Sequence, residues 1–252
     1  MEKLTDVKAM IFAAGLGTRL RPLTNDRPKA LVEVDGISLL EIAIRRLLFF
    51  GIKEIVVNIH HFADRMNNFL DQHDFGVAIH RSDESDKVLE TGGGLLKAKP
   101  FFADHEGPIL IFNVDVLTNL DLSTFVGFHR SSGNLATLAV RERDTSRYLH
   151  FDENLHLCKW SNEKTGAIKI SREGRGRTRP YAFSGIHVIE PQMLDLFTRE
   201  GKFSIIDTYL DLAKRHPIGA YDHTHDEWLD VGKPEALKQA PDLLEKIRYQ
   251  LA

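Results

Sequence analysis

From residue 8 onward, short runs of apolar residues alternate with longer amphipathic stretches. KAMIFAA (8–14) is apolar after its first residue and stops at Gly15, the pattern of a strand buried on both faces that leads into a loop. Ser38 then precedes Glu41 by three residues, Ile42, Ile44, Leu47 and Leu48 follow, and Gly51 closes the stretch, which predicts a helix with both ends marked. IKEIVVNI (52–59) is rich in β-branched residues and gives a second strand, so the order is β-α-β. The alternation continues with a helix over 62–70, a strand at 77–80, a helix at 94–99, a strand at 109–113, a helix after Asp121 and a strand at 135–140.

Beyond that point the register changes. Residues 148–160 alternate in the manner of hairpin strands, and SREGRGRTRP (171–180) reads as an exposed basic loop. A core strand follows at 181–189, with helices near 191–199 and 204–215, a strand near 218–221 and a terminal helix from Pro234. The expected architecture is α/β: a doubly wound, mainly parallel but mixed sheet in one unit spanning 1–252, with a small antiparallel subdomain inserted at about 141–180.

A formal net charge of −3 gives no footprint for nucleic acid, so anionic ligands must be held locally. No apolar run reaches membrane-spanning length, and MEKLTDVKAMIF lacks the pattern of a signal peptide. Cys158 stands alone and reads as a packing residue. These features favour a cytoplasmic protein with no membrane partner.

Four groups of residues could carry chemistry. Gly15 and Gly17 follow the first strand at its carboxyl end, where open α/β sheets bind ligands, and Arg19 and Lys29 add positive charge suited to phosphates. GLGTRL has Leu20 where a dinucleotide fingerprint needs its third glycine, and no Gly-Lys-Ser/Thr follows to make a P-loop. Asp115 and Asp230 each follow an apolar segment and offer the hard oxygens that Mg²⁺ prefers. ETGGG (90–94) exposes backbone groups ahead of a predicted helix, and Gly92 and Gly93 are placed against a base edge. Ser184-Gly185 can present backbone to a sugar. The pair His223 and His225 lacks a third spaced ligand and reads as a solvated loop.

The longer string FAAGLGTRLRPLTNDRPKAL resembles the signature of the sugar-1-phosphate nucleotidyltransferases through Ala13, Ala14, Gly15, Gly17, Thr18, Arg19, Leu20, Pro22, Thr24, Pro28 and Lys29. ETGGG, FNVDV (112–116), FSGIHV (183–188) and WLDVG (228–232) follow in the family's order, with Ala30 and Val114 departing from its usual Pro and Gly. The resemblance implies a Rossmann-like nucleotide-diphospho-sugar transferase fold and transfer of a nucleoside monophosphate from an NTP to a sugar 1-phosphate. By the same resemblance Arg19, Lys29 and Asp115 are catalytic, and Asp115 and Asp230 hold Mg²⁺. Ala13, Ala14, Gly15, Gly17, Thr18, Glu90, Gly92 and Gly93 surround the nucleotide, and Ser184 and Gly185 the sugar.

ETGGG also stands in uridylyltransferases acting on N-acetylmuramate 1-phosphate, whereas many guanylyltransferases carry an EPLGTA-like string, which favours UTP. The alternatives are GTP with a mannose or heptose phosphate, and an idle regulatory subunit, which would have no need to keep all four charged residues. The family's Glu-Lys-Pro motif is not evident, leaving Arg147, Lys169 and the 172–179 loop open as grips for the sugar phosphate. A homodimer stays open. No hexapeptide β-helix follows the last helix, so the acetyltransferase activity and trimer of longer relatives are not expected.

Overall fold

Lys8–Phe12 forms the first strand, β1, and its side chains divide between two hydrophobic cores: Ala9 and Ile11 join one, Met10 and Phe12 the other. A strand covered on both faces has no room for polar alternation, which is why its sequence is apolar after Lys8. The computed structural model describes residues 2–251. After β1 come β2 (Glu33–Val34), β3 (Ile37–Ser38), α1 (Leu39–Phe49), β4 (Glu54–Ile59), α2 (Ala63–Gln72), β5 (Ala78–Asp83), α3 (Glu90–Ala98), β6 (Ile109–Asn113), β7 (Val116–Thr118) and α4 (Leu122–Ser132). The chain continues through β8 (Ala136–Arg141), β9 (Arg147–Phe151), β10 (Leu157–Asn162), β11 (Ala167–Ile170), β12 (Arg179–Ile189), α5 (Ile205–Leu212), β13 (Ile218–Asp222), β14 (Trp228–Asp230) and α6 (Pro234–Ile247).

Ten strands form one mixed sheet in the order β11-β10-β9-β12-β6-β1-β4-β5, with β8 also on β12 and β13 beside β8. The stretch β6-β1-β4-β5 is parallel, and β12 runs antiparallel to β6, β8 and β9. Helices α1, α2, α4 and α6 bury their apolar stripes in the core containing Ile11, while α3 and α5 pack in the core containing Met10, so both faces are covered. The marked helix starts are made as the sequence predicts: Ser38 Oγ accepts from Glu41 N at 3.1 Å and Asp121 Oδ1 from Thr124 N at 2.9 Å. The region around 141–180 is antiparallel, built from β9, β10 and β11, and joins the main sheet edge-on through β12.

Three expectations need correction. The glycines of ETGGG lie inside α3 instead of in a loop before it, and all three are buried. The stretch predicted as a helix over 191–199 is a 3-10 turn at Pro191–Leu196. His223 is buried, not solvated, with its Nε2 at 2.6 Å from Ser184 Oγ. No helix among the described residues is long and apolar enough to cross a membrane.

Candidate active site

The turn after β1 is held from below by a polar residue that breaks the apolar run of β4. Asn58 Oδ1 accepts the N–H groups of Ala13 (2.6 Å) and Ala14 (3.2 Å), and Asn58 Nδ2 donates to Glu84 Oε1 at 2.7 Å. Burial pushes the Glu84 carboxyl up from its ordinary value. Gly17 then turns the chain at φ 63°, a conformation costly for any residue with a Cβ. A Cβ there would also lie 3.0 Å from both Lys29 Cβ and Thr24 Cγ2. Thr24 Oγ1 closes the loop by donating to Gly17 O at 2.8 Å. The N–H groups of Ala13 and Ala14 are thus committed to Asn58, leaving the loop from Gly15 onward to face a ligand.

Lys29 reaches across to Asp115, with Nζ 2.6 Å from Oδ2 and both side chains largely buried. Asp230 arrives from 115 residues further along the chain by backbone pairing. The strands β7 and β14 form a two-stranded antiparallel ladder with Asp230 opposite Val116, and Val231 N donates to Asp115 O at 2.9 Å. Arg19 Nη1 lies 3.8 Å from Asp230 Oδ2. A Cβ at Gly232 would lie 2.8 Å from Asp115 Oδ2, 2.9 Å from Asp230 Oδ1 and 2.9 Å from Arg19 Nη2, so the two carboxylates and the guanidinium converge on one point. Burial pushes Asp115 up, but the charge and hydrogen bond of Lys29 outweigh it and hold the carboxyl below its usual range. Burial and the neighbouring charge of Asp115 push Asp230 up. Arg19, Lys29, Asp115 and Asp230, read separately from the sequence, are brought together.

A cleft of about 250 Å³ opens beside Lys29 and Asp115, lined among others by Ala14, Gly15, Leu16, Asn58, Glu84 and Asn113. Val88, Glu90 and Thr91 line its far wall. Gly92 and Gly93 do not, and their backbone is already in use, since both N–H groups point at Phe203 O (2.9 and 3.3 Å). A Cβ on Gly92 would sit 2.4 Å from the Phe203 ring, and one on Gly93 2.0 Å from Gly201 O. Glycine is needed there for close packing of α3 on residues 201–203. Of the expected segment 90–94, the cleft is met by its start, Glu90 and Thr91, together with Val88 just before it.

On the other side of Asp115, β12 kinks. Its pairing with β8 shifts register between Phe183 and His187, and Gly185 sits at φ 78° within the shift. A Cβ on Gly185 would come within 2.6 Å of Asn113 Nδ2, so the kink abuts the cleft wall. Ser184 is buried; its Oγ meets His223 and its carbonyl accepts from Trp228 Nε1 at 2.9 Å. The Nε2 of His223 is taken up by Ser184 Oγ, and burial lowers the ring's pKa to about 4.

Arg143 lies over the Trp228 ring at 4.6 Å, and its Nη2 donates to Phe183 O at 3.3 Å. Burial lowers the pKa of this guanidinium, and the charge of Asp230 acts in the opposite direction. Of the basic groups left open for the sugar phosphate, Lys169 is paired with Asp207 at 2.5 Å and Arg172 with Asp152 at 3.2 Å, while Arg147 is exposed at the start of β9.

Asn58, Glu84, Val88, Thr91, Asn113 and Arg143 were not singled out as site residues from the sequence. The available signal for Asn58 was a polar residue inside an apolar strand. Arg143 gave none beyond being one basic residue among several.

The profile of the Nucleotidyl transferase family matches residues 8–247, and the chain belongs to that family. It is 32% identical over 241 residues to the N-acetylmuramate alpha-1-phosphate uridylyltransferase of Caulobacter vibrioides, covering 90% of this chain and 93% of that one. It is 27% identical over 235 residues to the mannose-1-phosphate guanyltransferase of Gibberella zeae, covering 91% of this chain and 62% of that longer protein. The fold is shared with the inositol-1-phosphate CTP transferase of T. maritima, at a TM-score of 0.75 and 16% identity over 97% of both chains.

Proposed function

We propose that this chain transfers a nucleoside monophosphate from an NTP, with UTP as donor, to a sugar 1-phosphate and releases pyrophosphate. The observation that carries the reading is the convergence of Arg19, Lys29, Asp115 and Asp230 at the mouth of a cleft formed by the glycine loop. The attacking phosphate oxygen is already ionised at neutral pH, so no general base or covalent intermediate is required. The obstacle is the meeting of two polyanions, and the side chains present address charge. Lys29 and Arg19 are held beside the phosphate position by Asp115 and Asp230, and are free to turn their donors to phosphate oxygens when a nucleotide arrives. The loop from Gly15 to Thr18 lets the triphosphate approach the backbone closely.

Asp115 and Asp230 are the residues that would hold Mg²⁺. Their oxygens converge, and the described residues contain no cluster of three or more metal-ligating side chains. Two carboxylates completed by phosphate oxygens and water are the donor set this ion takes. A bound Mg²⁺ supplies neutralisation of the triphosphate charge.

UTP is supported by ETGGG and by the uridylyltransferase likeness, and the acceptor supported by the same likeness is N-acetylmuramate 1-phosphate, a cell-wall sugar. The guanylyltransferase likeness favours GTP with mannose 1-phosphate as the second reading. Either reading places the reaction in the cytoplasm, where NTPs are made. The test is pyrophosphate release from UTP, GTP, CTP and dTTP with N-acetylmuramate, glucose and mannose 1-phosphates. UTP with N-acetylmuramate 1-phosphate is expected to give the highest kcat/KM. A tenfold or greater preference for GTP would replace the uridylyl reading with the guanylyl one.

A further inference from the structure

We propose that Arg143 binds an anionic oxygen of the sugar substrate, a role that rests on the reading of the chain as a sugar-1-phosphate nucleotidyltransferase. Three features of its placement carry this. First, Arg143 belongs to the reacting end of the site: Trp228, on which it lies, is two residues before Asp230 on β14, so the two side chains leave the strand on the same side. Second, its anchor is the kink of β12. Nη2 donates to Phe183 O and Trp228 Nε1 to Ser184 O, so ring and guanidinium both grip the backbone just before Gly185, the residue abutting Asn113 in the cleft wall.

Third, the guanidinium is underused. Among the described residues it makes that one hydrogen bond, its buried Nε has no partner, and no carboxylate lies within ion-pair distance. Arg141, the other arginine beside Trp228, is turned toward the 222–226 turn and has a buried unpartnered Nη1. It donates to Thr224 O at 3.2 Å, and Asp226 and Asp222 act on its charge. The Nε of Arg143 is shut off from a ligand, but its Nη1 is bonded to nothing among the described residues and is not buried, so the terminal nitrogens of this flat, fixed guanidinium are open to the oxygens of a phosphate or carboxylate. On the sugar this oxygen belongs either to the 1-phosphate or to a carboxylate carried by the ring.

The experiment is steady-state kinetics of the full chain and of Arg143→Met and Arg143→Lys, with UTP and two acceptors: N-acetylglucosamine 1-phosphate, which has only the phosphate, and N-acetylmuramate 1-phosphate, which adds a carboxylate. Thermal melting is followed in parallel. Arg143→Met is expected to raise the KM for the sugar phosphate by about 10- to 100-fold while leaving the KM for UTP within threefold, and Arg143→Lys to restore part of the loss. A rise with both acceptors assigns Arg143 to the phosphate, and a rise confined to the acidic sugar assigns it to the carboxylate. Should the Met variant fail to fold, the Lys variant decides on the same KM comparison. A sugar KM within threefold of the parent, or an equal rise in the KM for UTP, overturns the role. If the parent chain turns over none of these acceptors, nor glucose or mannose 1-phosphate, with any of UTP, GTP, CTP and dTTP, the nucleotidyltransferase reading itself fails, and the Arg143 role with it.

Discussion

Lys29 and Asp115 meet where parallel strands end, whereas Ser184, Trp228 and Arg143 are carried on or beside antiparallel ones. At the parallel end the chain leaves β1, β4 and β6 in the same direction, so three turns crowd together and their backbone and side-chain groups point into one cleft. Charge there is already balanced, with each cation beside a carboxylate. At the antiparallel end the strands continue past the site, and space is made by breaking one of them at Gly185. The cation there, Arg143, rests on an aromatic face instead of an acid. Pre-paired charges suit a ligand that brings its own counter-ion, and an arginine with no carboxylate within ion-pair distance suits a bare anion.

The contrast can be broken most directly at Asp115. Asp115→Asn should lower kcat about a thousandfold, from loss of metal-assisted charge stabilisation, and lower the melting temperature, since the largely buried Lys29 loses its charge partner. Undiminished turnover would remove the carboxylate from the mechanism. Lys29→Ala should lower kcat about a hundredfold and raise the KM for the nucleotide less, since charge at the α-phosphate grows toward the transition state. This variant should also melt earlier, because it leaves the largely buried Asp115 without its partner. A change confined to KM would make Lys29 a ground-state anchor.

Gly93→Ala probes the packing of α3 on residues 201–203 behind the cleft. Its methyl would run into Gly201 O, so a destabilisation of about 1–3 kcal/mol is expected, read as a drop in melting temperature. An unchanged melting temperature with a tenfold rise in the KM for UTP would return residues 92–93 to the base pocket.

The smallest effect concerns acid. His187 is fully buried beside Tyr209, and burial lowers it to about 3 from the ordinary 6.5. Below pH 6.5 the unfolded chain takes up a proton that the native chain refuses, so stability is flat above that pH and falls as pH drops toward 3. The slope from this residue is about 1.4 kcal/mol per pH unit. Urea unfolding between pH 7 and 5 should show His187→Phe with a slope shallower by one proton than the parent.

The strands of the parallel region were legible because burial on both faces leaves an unmistakable run of apolar residues, as in β1, β4 and β6. The glycine loop and its two cations were legible for the opposite reason, since Gly15, Gly17, Arg19 and Lys29 serve no core. What escaped were relations between distant segments. That Gly92 and Gly93 are required by Phe203 and Gly201 depends on a helix packing against a loop more than a hundred residues later, which no local pattern encodes. Arg143 was hidden among other basic residues until Trp228 and Phe183 O distinguished it. The His223 error has the same origin: a polar, turn-like neighbourhood hid a ring that is buried against Ser184.

The short ladder between β7 and β14 sets what kinds of sequence change the site can survive. Because antiparallel pairing places Asp230 opposite Val116, the spacing of the two carboxylates is held by main chain and is indifferent to most side chains nearby. Apolar-for-apolar drift at residues 116, 117 and 229 should therefore leave that spacing intact, whereas Trp228 and Thr118 are fixed by their own bonds to Ser184 O and Glu227 O. A deletion of one residue in the turn at 224–227 should disturb it: shifting the strand by one position would send the residue opposite Val116 to the other face, taking the carboxylate away from Asp115 while the cores stay intact. In evolutionary terms the pair is robust to substitution and fragile to indels, so a length change in this short turn would mark a relative that has kept the fold and abandoned the chemistry.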